Sequence, residues 1–341
     1  MPGRAAAGQS ANSAGLMQYR NLGHTSLKVS VLGFGASPLG DVFGTTDPSE
    51  GFRAVHLAID EGINFFDVSP YYGLTLAEER LGNALAGRRN EVILATKCGR
   101  YGESEFDFSA ARITKSLEES LRRLHTDYVD LFQAHDVEFG DSQQIIEETI
   151  PAMRRLQEQG KARYIGITAY PLKVLIRIAS AVAVDTILSY CRYNLLIDDM
   201  DAILIPFAQK HGIGVINASG MHMGVLTDRG APAWHPAPAQ VREAARQAAA
   251  FCRSQGFDIS ELALRYSFDY PHVASTLVGM SSTNHVRRNL SAFEEQADRH
   301  MVDQVKAILA PGLNYVWPSG RPENHDAPVD AGTRIDSVFP G

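Results

Sequence analysis

The chain has 341 residues, 45% hydrophobic and 21% charged, a balance that gives an ordinary soluble globular protein with a large core and excludes a disordered or fibrous one. A net charge of −7 and a pI near 5.9 argue against a nucleic-acid or anionic-membrane surface as partner. Three widely spaced cysteines, Cys98, Cys191 and Cys252, imply no disulfide framework and fit a reducing, cytoplasmic setting.

No apolar window approaches the length needed to cross a bilayer. Residues 1–16 are small and polar, lack the apolar stretch of a secretory signal, and read as a disordered extension. From Tyr19 to Val29 the pattern reads as a short hairpin turning at Gly23-His24-Thr25. An alternation of apolar strands and amphipathic helices then begins. Strands are expected at 29–35, 64–67, 92–96, 128–134, 163–168, 186–190, 214–218 and 275–278. Helices are expected near 49–61, 76–86, 109–124 and 142–158, from Pro171, and near 199–211. After the seventh strand a long irregular loop leads to an Ala-rich helix beyond about Ala237, followed by helices near 260–268 and 284–296. Eight strands separated by helices, joined by right-handed crossovers, predict an α/β fold: an eight-stranded parallel (β/α)8 TIM barrel with long loops at its C-terminal face. The barrel is expected over 17–320, with 321–341 as a disordered tail.

An open doubly wound sheet would instead carry a dinucleotide fingerprint after its first strand. Gly33-Phe34-Gly35-Ala36-Ser37-Pro38 supplies two glycines, but Pro38 stands in the third place and no helix opens there. These glycines fit a tight turn at a barrel rim, where a ligand can approach the backbone closely.

In an eight-stranded barrel the active site lies at the carboxyl ends of the strands. Asp67 ends the second strand, Lys97 the third and His135 the fourth, while Tyr72 sits on the Pro70-Tyr71-Tyr72-Gly73 turn above Asp67. Each has an ordinary alternative: a helix cap for Asp67, a rim aromatic for Tyr72, a solvated strand end for Lys97, a satisfied core histidine for His135. Together they make chemical sense. An ammonium beside a phenol favours the phenolate, and an aspartate holds that ammonium in a low-dielectric pocket. A histidine orients the substrate oxygen. Such a quartet suits proton exchange with a carbinol or carbonyl oxygen while a hydride moves elsewhere.

On these residues the chain resembles the aldo-keto reductases, in which such an Asp, Tyr, Lys and His form the catalytic tetrad. The resemblance runs from about Met17 to Gly320 and includes Thr96-Lys97, Asp127-Tyr128-Val129-Asp130-Leu131 leading to His135, and Gly160 through Ile167. Within the family it is most similar to the dehydrogenases of L-galactose, L-fucose and related aldoses. The residues that carry this are Gly33 to Gly40, Ser69 to Gly73, Lys97 to Tyr101, His135 to Gly140, Ser189 to Cys191, Trp234 to Ala237 and Trp317 to Gly320. The resemblance implies NAD-dependent oxidation of an aldose at C1 to the lactone. Tyr72 would be the general acid/base, Lys97 would tune it, Asp67 would anchor Lys97, and His135 would position the reacting oxygen.

It also implies where a cofactor lies. Gly35, Ala36 and Asp67 border it, Thr168 and Tyr190 hold the nicotinamide carboxamide, and Ser219, Met221 and Gly224 follow the seventh strand. Ala218 replaces the aromatic that stacks on the nicotinamide in most relatives. The adenosine end is expected on Gly279, Met280, Ser281 and Ser282 and along the next helix to Asn289, where backbone donors suit a phosphate. Gly279 and His285 stand where NADP-preferring relatives place Lys and Arg, which favours NAD, while Arg287 and Arg288 keep NADP open. Arg100, Tyr101, Phe139 and Trp234 are expected to wall the sugar pocket beside Tyr72 and His135. Packing of loops onto the barrel is the alternative for Trp234 and Trp317.

Competing readings on the same tetrad are a general aldehyde or ketone reductase and a pyridoxal 4-dehydrogenase. A cofactor-binding regulatory subunit with vestigial chemistry is a further one, disfavoured by the intact tetrad. No metal is expected, because Cys98 and Cys191 lack paired ligand spacing. A monomer or homodimer with a small-molecule sugar substrate is expected.

Overall fold

The computed structural model describes residues 17–326, so the extension expected over 1–16 and the last part of the expected tail, 327–341, lie outside the described residues. Strands β1 (Tyr19–Asn21) and β2 (Lys28–Ser30) pair antiparallel as the expected hairpin. The single strand expected over 29–35 is divided, and β3 covers Leu32–Gly35. The division falls at Val31, whose N–H donates to Gln18 O in the hairpin while its carbonyl accepts from Thr276 N in the barrel. The chain changes sheets at that residue.

The remaining strands are β4 (Phe65–Asp67), β5 (Ile93–Cys98), β6 (Val129–Ala134), β7 (Ala162–Ala169), β8 (Thr186–Tyr190), β9 (Gly214–Ala218) and β10 (Ser275–Gly279). With β3 they form a closed barrel in chain order, every neighbouring pair parallel, and β10 closes on β3. Helices α1 (Pro48–Asp60), α2 (Leu76–Ala84), α3 (Ala110–Arg123), α4 (Ser142–Gln144), α5 (Ile150–Glu158), α6 (Leu172–Ala181) and α7 (Asp199–His211) fill the first six connections. The helical run expected over 142–158 is interrupted by a π-turn at Ile145–Thr149 between α4 and α5. Helices α8 (Ala239–Ser254) and α9 (Ile259–Phe268) follow β9, and α10 (Thr283–Glu294) follows β10.

One helix was not expected from the sequence: α11, Arg299–Leu309. Met301, Val302, Val305 and Leu309 form its buried face and join Val241, Ala245 and Ala248 of α8 in an apolar cluster outside the main ring. Its N-terminus is capped by Asp298, whose carboxylate accepts from the N–H groups of His300 and Met301.

Side-chain alternation along the strands positions the site. Phe65, Ala95, Leu131, Leu188, Ile216 and Leu277 point into the barrel, where Leu22, Leu27 and Val29 of the hairpin plug its floor. Burying each large side chain contributes about 1.5–3 kcal/mol, so this floor is held by the hydrophobic effect. Two residues further along each strand the same inward parity is reached again. It presents Asp67, Lys97, Gln133, Tyr190, Ala218 and Gly279 at the opposite mouth. The intervening residues, such as Phe66, Leu94, Phe132 and Val278, face the helices.

The boundary expected at 320 falls short of the packed chain. Residues 321–326 are held by specific bonds: Asn324 Nδ2 donates to the carbonyls of Glu138 and Gly140, and Asp326 accepts from Leu172 N, Lys173 N and the Arg192 guanidinium. A polar tail sequence reads as disordered, and only its distant partners order it.

Candidate active site

The structure brings Asp67, Tyr72, Lys97 and His135 together. Lys97 is buried and extends along the barrel interior to ion-pair with Asp67, and its ammonium also donates to Val68 O at 2.9 Å and to the Tyr72 hydroxyl at 3.4 Å. Gln133 donates to the other Asp67 oxygen at 2.9 Å, so both carboxylate oxygens are satisfied. The Tyr72 ring meets His135 edge-on at 5.7 Å. It is delivered by a tight approach of two loops: a Cβ on Gly40 would lie 2.6 Å from Tyr72 O, and Gly73, at φ +62°, would collide with Gly40 O. Both glycines are required there.

The electrostatics differ from expectation in one respect. Burial pushes the Tyr72 phenol up to about 12, and the nearby Asp67 and Asp136 charges act the same way, outweighing the attraction of Lys97. Lys97 therefore moderates the phenol without producing a phenolate in the free protein. Burial works against the charge on Lys97 too, but Asp67 and Tyr72 together hold its pKa above the ordinary lysine value. Burial lowers His135 to about 3, so its imidazole is neutral.

Two residues that the sequence reading did not assign complete this cluster. Ser69, fully buried, lies 3.0 Å from His135 Nδ1, and its oxygen accepts from Tyr71 N at 3.1 Å. Asp136, at a left-handed φ of 52°, is fixed by its N–H to Thr168 Oγ1 and by the Arg100 guanidinium at 2.5 Å. Its carboxylate stands 3.7 Å from His135 Nε2. Their sequence signal was membership of the Ser69–Gly73 and His135–Gly140 stretches that carry the resemblance, with no role attached.

The cofactor candidates fall on one arc of the mouth. Gly35 and Gly279 are register partners on β3 and β10, with Gly35 half-buried and Gly279 exposed. Ala36 is buried and bonded through its N–H to Asp67 O. Thr168 has its oxygen engaged by Asp136 N–H, and the Tyr190 hydroxyl donates to Glu138 Oε1 at 3.4 Å. Ser219, Met221 and Gly224 line the loop after β9, where Ser219, His222, Met223 and Gly224 all have positive φ, a concentration of strain of the kind retained at binding sites. Met280 has its side chain wholly buried in the core and presents only its backbone, whose N–H donates to Gly35 O. Ser282 caps α10 by accepting from His285 N, Ser281 is half-buried, and Asn289 is buried on the inner face of α10. A dinucleotide fits this arc, because side-chain-free backbone at Gly35 and Gly279 adjoins half-buried polar groups leading away from the tetrad. One carboxylate intrudes: Glu50 of α1 accepts from both the N–H and the hydroxyl of Thr283 at 2.7 Å. These bonds and Arg53 hold it at about 2.

The substrate candidates divide. Arg100 lies 3.8 Å above the Tyr71 ring and near Phe139, which stacks on Phe106 at 4.5 Å, so this wall is present. Tyr101 is corrected. Its hydroxyl accepts from Gly99 N and its face is covered by Arg112 of α3, so it braces the loop against the outer helix. Trp234 is 59% exposed on the rim of the long loop. Trp317 follows its packing alternative, stacking on Tyr170 at 4.0 Å.

Among the described residues no helix is long and apolar enough to cross a membrane, and no group of three or more His, Cys, Asp or Glu could hold a metal ion. The sequence model of the Aldo/keto reductase family matches residues 31–310. L-galactose dehydrogenase of Arabidopsis thaliana is 47% identical over 319 residues, covering 90% of this chain and 99% of that protein. D-arabinose 1-dehydrogenase of Saccharomyces cerevisiae is 32% identical over 296 residues, 79% of this chain and 87% of that one. The holo form of an aldo-keto reductase from Bacillus halodurans matches the fold with a TM-score of 0.74 at 28% identity, covering 91% of this chain and all (100%) of that one. A barrel whose inward parity gathers a buried Asp–Lys–Tyr–His cluster, matched along most of its length, thus belongs to the aldo/keto reductase family, whose members are oxidoreductases using nicotinamide cofactors.

Proposed function

We propose that this protein oxidises an aldose, L-galactose or an L-fucose-like sugar, at C1 to the lactone, with NAD as oxidant and Tyr72 as general base. The observation that carries the reading is the buried Lys97 ammonium shared between Asp67 and the Tyr72 hydroxyl. The L-galactose and D-arabinose dehydrogenases among its relatives support the substrate class. When bound, the nicotinamide supplies the acceptor for the hydride leaving C1. His135, neutral, donates to O1 and orients it. Tyr72 takes the O1 proton, the C1–H electron pair leaves as hydride, and the hemiacetal carbon becomes the lactone carbonyl. Asp67 and Gln133 keep Lys97 charged and in place beside the forming phenol. Gly279 and His285 at the mouth of β10, together with the Glu50 carboxylate at the start of α10, support NAD over NADP.

A second reading is favoured by the elevated Tyr72 pKa: a phenol held protonated is a ready acid for carbonyl reduction. The direction of the pH dependence separates the two. Base catalysis needs the phenolate, so oxidation should rise roughly tenfold per pH unit until the pH meets the phenol's pKa in the loaded enzyme. Reduction should stay flat over the same range. The decisive assay offers L-galactose, L-fucose, D-arabinose and pyridoxal with NAD and with NADP, following the reduced cofactor. Sugar oxidation with NAD is expected, and Tyr72→Phe should lower it by about 100–10,000-fold. Equal turnover by wild type and variant would end the enzyme reading. Activity on pyridoxal alone, or with NADP alone, would overturn the substrate or the cofactor assignment.

A further inference from the structure

We propose that Asp136 and Arg100 form the subsite that reads the hydroxyl on C2 of the sugar, so that the protein selects 2-hydroxy aldoses over their 2-deoxy counterparts. The inference rests on the C1-oxidation reading and extends it to the neighbouring carbon. Asp136 Oδ2 stands 3.7 Å from His135 Nε2, beyond direct hydrogen-bond reach. If O1 is bonded to His135 Nε2, a gauche oxygen on the next carbon lies about 2.8 Å from O1, which puts it within reach of a carboxylate 3.7 Å from that nitrogen. A carboxylate there accepts the C2 hydroxyl proton in a charge-assisted bond, the strong kind.

The pair is built for such a role. Among the described residues Arg100 is the one side chain hydrogen-bonded to the Asp136 carboxylate, which leaves that carboxylate with acceptor capacity to spare. Arg100 is itself pinned over the Tyr71 ring and flanked by Phe106 and Phe139, so the charge it presents is fixed in direction. Asp136 retains its left-handed backbone although it is not glycine, held by Thr168 Oγ1 on the adjacent strand. Where it stands, it raises the pKa of the Tyr72 phenol, an effect unfavourable to a base and offset when a hydroxyl proton occupies it.

The test compares the aldose that wild type oxidises best with its 2-deoxy counterpart, in wild type, Asp136→Asn, and the doubly neutralised Arg100→Gln/Asp136→Asn, which keeps a neutral pair and guards against a folding failure. Wild type should prefer the parent sugar by about 10–100-fold in kcat/KM, the range of one hydrogen bond to a charged group. Both variants should lose most of that preference for the parent sugar, carried mainly in KM, so the ratio between the two sugars is the readout. Calorimetric titration of each sugar into the protein gives the same comparison without turnover. An equal loss on both sugars would reduce Asp136 to a brace for Arg100 and overturn the proposal, as would a wild type indifferent to the C2 hydroxyl. A wild type that oxidises no aldose but binds one with a C2-hydroxyl preference lost in Asp136→Asn would retire the oxidation reading and keep the subsite.

Discussion

Ser69 shows how one hydroxyl determines what a neighbouring ring can do. Tyr71 N–H donates into Ser69 Oγ, which leaves the serine's own hydrogen available to His135 Nδ1 at 3.0 Å. A serine that donates there puts the imidazole proton on Nε2, the nitrogen 3.7 Å from Asp136. With its pKa lowered to about 3 by burial, His135 adds no acidic limb to the rate profile between pH 5 and 8. Removing the serine hydroxyl leaves Nδ1 buried without a partner, at a cost of about 1–3 kcal/mol, and frees the ring to take the other tautomer. Ser69→Ala should therefore lower kcat about tenfold while ring-nitrogen chemical shifts move towards the Nδ1–H form, and Ser69→Thr should restore both. Unchanged nitrogen shifts in Ser69→Ala would show that the backbone alone orients the ring.

At the scale of elements, α1 and α10 meet through Glu50, which fills the first turn of α10 by bonding Thr283 twice. If the adenosine end lies along α10, as proposed, a 2′-phosphate there would meet that negative charge where free backbone donors would otherwise attract it. Arg288, which sequence reading left available to a phosphate, is instead paired with Asp258 at 3.0 Å. Glu50→Gln should raise the NADP:NAD ratio of kcat/KM about three- to tenfold, with NAD values nearly unchanged, and fluorescence titration should report the same change in binding. A ratio that stays put would clear Glu50 of any part in cofactor choice. This contact also marks where sequence reading stops. The barrel and its eight strands were legible because short apolar runs alternate with helical stretches, and the gathering of Asp67, Lys97 and His135 because each stands at or just past the end of such a run. Glu50, Asp136, Ser69 and the buried side of Tyr101 were not, because their roles depend on partners brought in from other segments. Helix α11 was missed although the Asp298 cap and the helical spacing of Met301, Val302, Val305 and Leu309 mark it in the sequence.

Across the whole molecule the barrel is braced at both ends, by different physics. The hairpin plugs the floor with Leu22, Leu27 and Val29, whereas polar bonds tie the C-terminal segment along the loops at the mouth. Trp317 stacks on Tyr170 after β7, Ser319 donates to Glu138 after β6, and Asn324 bonds the carbonyls of Glu138 and Gly140. Asp326 anchors the end of this strap in two ways, capping the N-terminus of α6 and pairing with Arg192 at 2.6 Å. Arg192 is fully buried and divides its guanidinium between Asp199 and Asp326, so each carboxylate offsets part of a large desolvation penalty. Asp326→Ala removes one of the two and uncaps α6, while Asp199 still holds the charge. A loss of about 2–3 kcal/mol in urea unfolding is expected, the range for hydrogen bonds to a charged group with a cap included. Asp326→Asn keeps the cap but not the charge and should lose about half as much. Amide exchange should quicken in 313–326 and the first turn of α6, and leave the hairpin floor untouched, because the two braces share no contacts. A midpoint unmoved in Asp326→Ala would mean that Asp199 alone satisfies Arg192, and that the strap is held by Trp317 and Asn324 without its final anchor.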